Sequence, residues 1–293
     1  MKKAFLIFLA SGWLVASFGA TLSYPIVDSN QTHAYDDRQA VEFPKAGERY
    51  FGQDGQYGAR SPSYKDNGDG TVTDLVTGLM WTKTPIKATY QEALDGAETC
   101  EVGGYDDWRV PSIKEIYSLM QFNGLDPDPN SNLTEGLIPF IDRSVFDFEY
   151  GDPREGERVI DSQFVTTSVN VSPIMTGQES FFGLNLADGR IKAYPTQSRR
   201  EKKFRALYTR GNVAYGKNEF RDHGDGTITD AATGLMWMKA DSVEGMDWPT
   251  ALGYAEQMEF AGHSDWRLPS AKELQSIIDY ERSPGKTDSA AID

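Results

Sequence analysis

Two stretches of the sequence are near-copies of each other and decide the fold. Residues 64–81 read YKDNGDGTVTDLVTGLMW, and residues 220–237 read FRDHGDGTITDAATGLMW. Twelve of these 18 positions are identical, at an offset of 156 residues. A second pair of stretches, 89–119 and 247–277, agrees at 14 of 31 positions at an offset of 158. Similarity that recurs in the same order predicts a duplicated structural unit.

The first copy contains the signals of a hairpin followed by two helices. The glycine-rich turn NGDGT at 67–71 predicts a tight connection between two short strands. Thr89 with Glu92, and Ser112 with Glu115, fit the capping box that begins a helix, because each side chain can satisfy a free backbone N–H of the other residue. The second copy repeats the latter device.

Each predicted helix has an apolar face that we expect to be buried. For the first helix this face is Tyr90, Ala93, Leu94, Ala97 and Cys100. For the second helix it is Ile116, Leu119 and Met120 in one copy, and Leu274, Ile277 and Ile278 in the other. The 3.6-residue period of a helix places each set on one side, so Cys100 is predicted to be a small core residue.

The two copies differ after their second helix. The first continues through an acidic loop, 126–161, into a hairpin at 181–194 with Asp188-Gly189 as its turn, and a closing strand at 204–211. The second ends at Asp293, so this chain is either a fragment or packs its partial copy on the complete one. The expected organisation is a signal peptide at 1–20, an extension at 21–59, a complete copy at 60–212 and a truncated copy at 213–293.

The N-terminus resembles a bacterial secretory leader. Lys2 and Lys3 precede an apolar run, and small residues follow at Ala16, Ser17, Gly19 and Ala20. This pattern predicts cleavage and an extracytoplasmic location, in the periplasm, on the cell surface or outside the cell. An uncleaved anchor is the alternative. After cleavage we expect no stable membrane insertion.

Composition argues against several classes of function. The 293 residues carry a net charge of −15, which repels nucleic-acid phosphates, so no nucleic-acid partner is expected. One cysteine gives no disulfide framework and no cysteine-rich zinc site. His223 and His263 have no histidine counterpart in the first copy, and His33 lies in the extension. The sequence therefore indicates a protein that is not an enzyme.

Three motifs carry a resemblance to a known family. The motifs are DNGDGTVTD, TGLMW and GYxDWRxPSxKE, and each is present twice, in full or in close variant form. They resemble the bacterial family of unknown function named after the C-terminal domain of the Legionella collagen-like adhesin. The resemblance covers 60–211 and, in part, 216–293. The order of elements is also similar to C-type-lectin-like and formylglycine-generating-enzyme-like folds, so it implies an α+β fold as a tandem repeat with an incomplete second copy.

The resemblance implies binding rather than turnover. The namesake domain binds sulfated glycosaminoglycans, which requires clustered cations, and this chain has one basic cluster: Arg199, Arg200, Lys202, Lys203 and Arg205. A solvated loop is the alternative interpretation of that cluster. Ala97 and Ala206 stand where many relatives carry a cysteine pair. Formylglycine-generating activity needs cysteine chemistry that the chain lacks.

The repeated Asp-Trp-Arg motif is interpreted as structural, with the tryptophan as a core anchor and the charged neighbours paired near the helix entrance. The residues assigned this role are Trp81, Asp107, Trp108, Arg109, Ser112 and Glu115, with Trp237, Asp265, Trp266, Arg267, Ser270 and Glu273.

Calcium is the one cofactor that the sequence suggests. The DNGDGTVTD turn fails the EF-hand spacing because glycines occupy ligand positions. The acidic loop is the better candidate, through Asp126, Asp128, Asp147, Glu149 and Asp152. Asp128-Pro129-Asn130 weakly resembles a lectin sugar motif.

The sequence as a whole favours an exported, non-catalytic binding or adhesion module for a glycan or an envelope protein. A structural or protein-interaction module without a ligand site is one alternative. A carboxylate-based hydrolase is the other.

Overall fold

The computed structural model describes residues 21–128, 130–173, 177–197 and 201–292, and the backbone of Leu9 and Ala10. The predicted leader at 1–20 otherwise lies outside the described residues. The chain divides into two compact units, which we call the first-copy unit (62–216 with 277–293) and the second-copy unit (1–61 with 217–276).

The protein is mixed α/β, with many short strands and few helices. The strands are β1 (Leu9–Ala10), β2 (Ala34–Tyr35), β3 (Ala40–Val41), β4 (Tyr64–Asp66), β5 (Thr71–Asp74), β6 (Leu79–Thr82), β7 (Ile86–Ala88), β8 (Gln163–Phe164), β9 (Val169–Asn170), β10 (Ser180–Asn185), β11 (Arg190–Pro195), β12 (Phe204–Ala206), β13 (Thr209–Gly211), β14 (Phe220–Asp222), β15 (Thr227–Asp230), β16 (Leu235–Met238) and β17 (Trp266–Arg267). The helices are α1 (Tyr90–Glu98), α2 (Ile113–Tyr117), α3 (Trp248–Glu256) and α4 (Ala271–Ser276), with 3-10 turns at Asp54–Gln56, Val102–Gly104 and Pro153–Glu155.

The first-copy unit contains two sheets. One has the strand order β13-β6-β5-β4, and the other β11-β10-β8-β12-β7, with β9 paired to β10. The predicted hairpin between β4 and β5 is present, with Gly68 and Gly70 at positive φ, which explains glycine at these turn positions. The late hairpin β10–β11 is present as well, with Gly189 in the left-handed region.

Both predicted capping boxes of the first copy are confirmed. Thr89 and Glu92 bond each other's backbone N–H at the start of α1, and Ser112 and Glu115 do the same at α2. The expected face of α1 packs into the core, where Ala93 and Ala97 are buried and Cys100 is partly buried against the same cluster. Ala206 also belongs to that cluster.

The predicted closing strand at 204–211 is in fact two strands in two sheets. β12 pairs with β7 and β8, whereas β13 pairs with β6. Between them, the backbone N–H of Tyr208 donates to Thr82 Oγ1, and the N–H of Thr82 donates to Tyr208 O. The strand is interrupted between β12 and β13 because the chain crosses there from one sheet to the other.

The second-copy unit has the sheet β14-β15-β16-β1-β17. Leu9 pairs with Trp237 and Arg267, as Thr209 of the first-copy unit pairs with Trp81 and Arg109. The leader backbone therefore takes the place in this sheet that β13 takes in the other. The N-terminal extension joins the same unit, since the N–H of Tyr24 donates to Ala232 O.

The burial predicted for Leu274 is wrong. Its side chain is 38% exposed, whereas its counterpart Ile116 is fully buried. In the first-copy unit α2 packs against β10, and the described part of the second-copy unit contains no counterpart of that hairpin. The buried face of α4 carries Lys272, Glu273, Gln275 and Ser276 instead.

Candidate functional site

The predicted basic cluster is not a single exposed patch in the described residues. Arg199 and Arg200 lie outside them. The Lys202 ammonium group lies over the rings of Tyr194 and Phe204, 5.3 and 5.4 Å from their centroids. Burial lowers the pKa of Lys202. This lysine therefore packs on the aromatic core.

Lys203 and Arg205 belong to different environments. Lys203 is exposed. Arg205 is only 8% exposed, and its guanidinium group lies 3.5 Å from the Glu149 carboxylate and 3.4 Å from Tyr150 O. Arg205 therefore contacts the acidic loop. From the sequence, the two were predicted to belong to different sites, Arg205 to the basic cluster and the loop to a calcium site.

The five acidic residues predicted to bind calcium have separate partners. These are Arg190 for Asp126, the N–H of Asn130 for Asp128, the Thr84 hydroxyl for Asp147, Arg205 for Glu149, and Arg154 for Asp152. Across the described ranges, no three His, Cys, Asp or Glu side chains are grouped to hold a metal ion. Calcium binding by this loop stays an untested prediction.

Arg205 and Lys87 form the floor of a cleft of about 520 Å³. They are cross-strand partners, Arg205 on β12 opposite Lys87 on β7, so their side chains leave the sheet on one face. Residues 149–155 form the facing wall, together with Asn132 and Thr134. We call this feature the loop cleft.

Salt bridges hold the floor of the loop cleft to its wall. The Lys87 ammonium lies 2.5 Å from Glu155 and 2.8 Å from Glu157. These two hydrogen-bonded carboxylates raise the pKa of Lys87. For Glu157, burial raises the pKa, but the bonds from Lys87 and from the Asp152 N–H outweigh it and leave the value lowered. Lys87 and Glu157 are therefore charged at neutral pH.

The wall of the loop cleft is held by local hydrogen bonds and one close backbone contact. Asp152 caps the 3-10 turn Pro153–Glu155 by accepting from the Arg154 N–H, and its carboxylate also binds the Arg154 guanidinium. These bonds hold the pKa of Asp152 at about 2. At Gly151, an added Cβ would lie 2.0 Å from Arg158 O, so only glycine fits this close backbone contact.

Tyr150 adds an aromatic group to the loop cleft. Its ring packs edge-on against Phe148 at 5.0 Å between centroids. Burial raises the pKa of Tyr150 to about 12, and its hydroxyl is buried without a hydrogen-bond partner among the described residues. A buried hydroxyl of this kind is available to a water or ligand atom.

Sequence reasoning identified Arg205, Glu149 and Asp152 but missed Lys87 and Tyr150 as neighbours. Lys87 lies on a three-residue strand outside every motif, and nothing in its local sequence distinguishes it. Lys87 could be recognised as a neighbour of Arg205 only from the pairing register of β7 with β12.

In the first copy, the residues of the Asp-Trp-Arg motif make contacts that stabilise the fold. Trp108 is buried, and its Nε1 donates to Val102 O. Arg109 pairs with Glu115 at 2.6 Å, while Asp107 pairs with Arg210 rather than with its neighbour in the motif. Adjacent charged residues thus point to different partners.

The second copy repeats this arrangement. Trp266 is buried and donates to Phe260 O, and Arg267 pairs with Glu273 at 2.6 Å. Ser270 accepts from the Glu273 N–H, which completes the capping contacts of α4. The remaining motif tryptophans, Trp81 and Trp237, are buried as well.

The fold and these contacts define an α/β protein, mostly of sheet, with two related hairpin-and-helix units. The sequence matches the family model of the Lcl C-terminal domain over residues 70–207 and again over 226–293. The chain belongs to this family, with one complete match and one shorter match. No curated protein and no solved structure matches the chain.

Membership of the Lcl C-terminal domain family indicates an adhesin-associated module. Within the described residues, no helix combines the length and the apolar character needed to cross a membrane.

Proposed function

We propose that the protein is an exported, non-catalytic adhesion module that binds a glycan in the loop cleft of its first-copy unit. The proposal includes a lectin-like topology for this unit, in which a loop after the second helix forms the site. It also includes an extracytoplasmic location, as the leader at 1–20 predicts.

One observation carries the proposal: the cross-strand pair Lys87 and Arg205 faces a wall of carboxylate, amide and hydroxyl groups across a space of about 520 Å³. Sugars are bound by hydrogen bonds to many hydroxyl groups, which need donors and acceptors side by side. Ligand cavities of small molecules range over about 300–1,000 Å³, so the space suits one or two sugar rings.

The charge balance favours a neutral glycan over a sulfated one. Lys87 is bound by two carboxylates, Arg205 by Glu149, and Arg154 by Asp152. A sulfate would have to displace these carboxylates or lie beside them, and like charges at such distances repel. A sugar hydroxyl can instead share the existing ion pairs.

Three alternatives make different predictions. An envelope protein as the ligand, or a purely structural module, would give no glycan binding by the folded protein. A carboxylate-based hydrolase would give turnover that one Asp or Glu substitution abolishes.

The test is a glycan array probed with the purified full chain, in calcium and again in EDTA. We expect selective binding of neutral glycans, weakened at least about tenfold by Lys87→Gln, which removes one donor from the floor. The matched control is Lys203→Gln, an exposed lysine outside the cleft, which should leave binding unchanged.

Three results would overturn the proposed site. Binding confined to sulfated glycans and lost in Lys203→Gln would place the ligand on the basic cluster. Binding lost only in EDTA would place it on a calcium ion. Absence of binding by folded protein would favour a protein partner.

A further inference from the structure

The second-copy unit contains a cavity of about 320 Å³ that is separate from the loop cleft. Its walls come from the N-terminal extension and from the second copy, and they include Asp28, Ser29, Asp54, Tyr57, Arg267 and Glu273. We call it the second-copy cavity. Its volume is at the lower end of ligand cavities, about 300–1,000 Å³, so it fits one small polar molecule.

Arg267 contributes a buried donor to this cavity that the protein does not satisfy. Both of its terminal nitrogens donate to Glu273, at 2.8 and 2.6 Å. Its Nε is buried and has no hydrogen-bond partner among the described residues, while the whole residue is 8% exposed. Leaving such a donor unpaired and buried is unfavourable, so native structures usually supply a partner from the protein, from water or from a ligand.

In the described part of the chain, the corresponding arginine of the first copy, Arg109, has no buried side-chain nitrogen without a hydrogen-bond partner. The Arg109 side chain is 32% exposed, and its Nη2 donates to Gly211 O in addition to its bonds with Glu115. In the second-copy unit the ring of Tyr57 covers the Arg267 guanidinium, 5.3 Å away. Because the extension covers Arg267, this arginine lines a cavity, whereas its first-copy counterpart Arg109 is partly exposed to solvent.

Asp54 contributes a second carboxylate, near the Arg267 guanidinium but not in a close ion pair with it. The Ser29 hydroxyl donates to it at 2.5 Å, but no Lys, Arg or His in the described ranges forms an ion pair with it. Burial is the largest cause that raises the pKa of Asp54, and the nearby charges of Asp28 and Glu273 add to it. Together they outweigh the Ser29 hydrogen bond and the Arg267 charge, which lower it. Glu273 already balances Arg267, so the interior of the cavity has an excess of negative charge; Arg60 lines it as well, but is exposed.

We propose that the second-copy cavity binds an amino sugar with a free amine, whose ammonium group pairs with Asp54 and whose hydroxyl oxygen accepts from Arg267 Nε. A cation satisfies Asp54, and a neutral acceptor suits Arg267 because the Glu273 carboxylate already neutralises it and would repel a second carboxylate. An amino acid, which carries a carboxylate beside its amine, is therefore disfavoured. This inference is independent of the loop cleft.

The test compares two sugars that differ in one group. Isothermal titration of the full chain with glucosamine and with glucose should show at least a tenfold preference for glucosamine. Asp54→Asn should remove that preference, whereas Glu42→Gln, an exposed acid of the same extension, should keep it. Thermal unfolding of each variant establishes that it is folded.

A second measurement reports on Arg267 without mutating it. In ¹⁵N-edited spectra, the Arg267 Nε resonance should shift on addition of glucosamine, and the same signal should not respond to alanine. Equal binding of glucose and glucosamine, tighter binding of alanine, or a glucosamine preference that survives Asp54→Asn would each overturn the proposal. So would the absence of glucosamine binding. The Lys87 variants test the loop cleft separately, so these results leave the proposal for that cleft unaffected.

Discussion

Arg267 and Glu273 form an ion pair in which both side chains are almost fully buried, 10% and 7% exposed. The equivalent pair in the first copy, Arg109 and Glu115, has the same 2.6 Å separation, but its arginine is 32% exposed. One motif thus lies in two dielectric environments within one chain. The cost of breaking the pair should differ accordingly.

We expect Glu273→Gln to destabilise its unit more than Glu115→Gln destabilises the other. Removing one partner of a buried pair costs about 3–5 kcal/mol because the remaining charge stays buried, whereas a partly exposed pair costs less. Urea unfolding followed by tryptophan fluorescence measures both, because each unit contains a buried motif tryptophan. Equal losses would contradict the role assigned to burial.

The second prediction concerns the helix position at which the copies differ. Ile116→Ala should lower the free energy of unfolding by about 2–5 kcal/mol, because it leaves a cavity in a packed core. Leu274→Ala at the equivalent position should cost under about 1 kcal/mol, since the side chain is already exposed. The same urea titrations give both values. A large loss for Leu274→Ala would mean that this face of α4 is covered.

Gly151 should be essential to the loop cleft. Gly151→Ala forces a Cβ against Arg158 O, and we expect it to destabilise the loop by about 1–3 kcal/mol and to abolish binding in the cleft. Gly156→Ala is the control: its φ is +79° but nothing lies near the added Cβ, so it should cost only about 1 kcal/mol. Limited proteolysis of the loop and the glycan array measure the two effects.

The acid stability of the first-copy unit should depend on Asp161. Burial raises the pKa of this carboxyl, but hydrogen bonds from Arg158 and Gln163 outweigh it and hold the pKa at about 2. A lowered folded-state pKa contributes stability above the ordinary value of about 3.9, and that contribution disappears as the pH falls towards 2. Asp161→Asn should flatten the decline of the melting temperature between about pH 4 and 2. Glu135→Gln, an exposed acid of the same loop, should leave the decline unchanged.

Leader removal should loosen the sheet of the second-copy unit. Leu9 and Ala10 lie between β16 and β17, so a chain that begins at residue 21 leaves backbone groups of these strands unpaired. We expect faster amide hydrogen exchange in 235–238 and 266–267 than in the uncleaved chain. Exchange in 79–82, whose neighbour is β13, provides the internal control. Unchanged protection in β16 and β17 would show that the leader does not stabilise the sheet.

The sequence by itself determined the local structure. The turn at 67–71, the capping boxes at Thr89 and Ser112, and the hairpin around Gly189 depend on residues only a few positions apart. Their geometry follows from backbone conformation and neighbouring hydrogen-bond groups. The repeated motif likewise predicted which tryptophans anchor the cores.

Only the tertiary structure decided which distant groups meet. Lys87 reaches Arg205 through the register of two short strands, and Tyr57 reaches Arg267 because the extension packs on the second copy. Leu274 is exposed although its sequence pattern matches that of buried Ile116. Burial and charge pairing depend on what covers a residue, and the covering segments lie tens to hundreds of positions away, where periodicity and turn chemistry give no information.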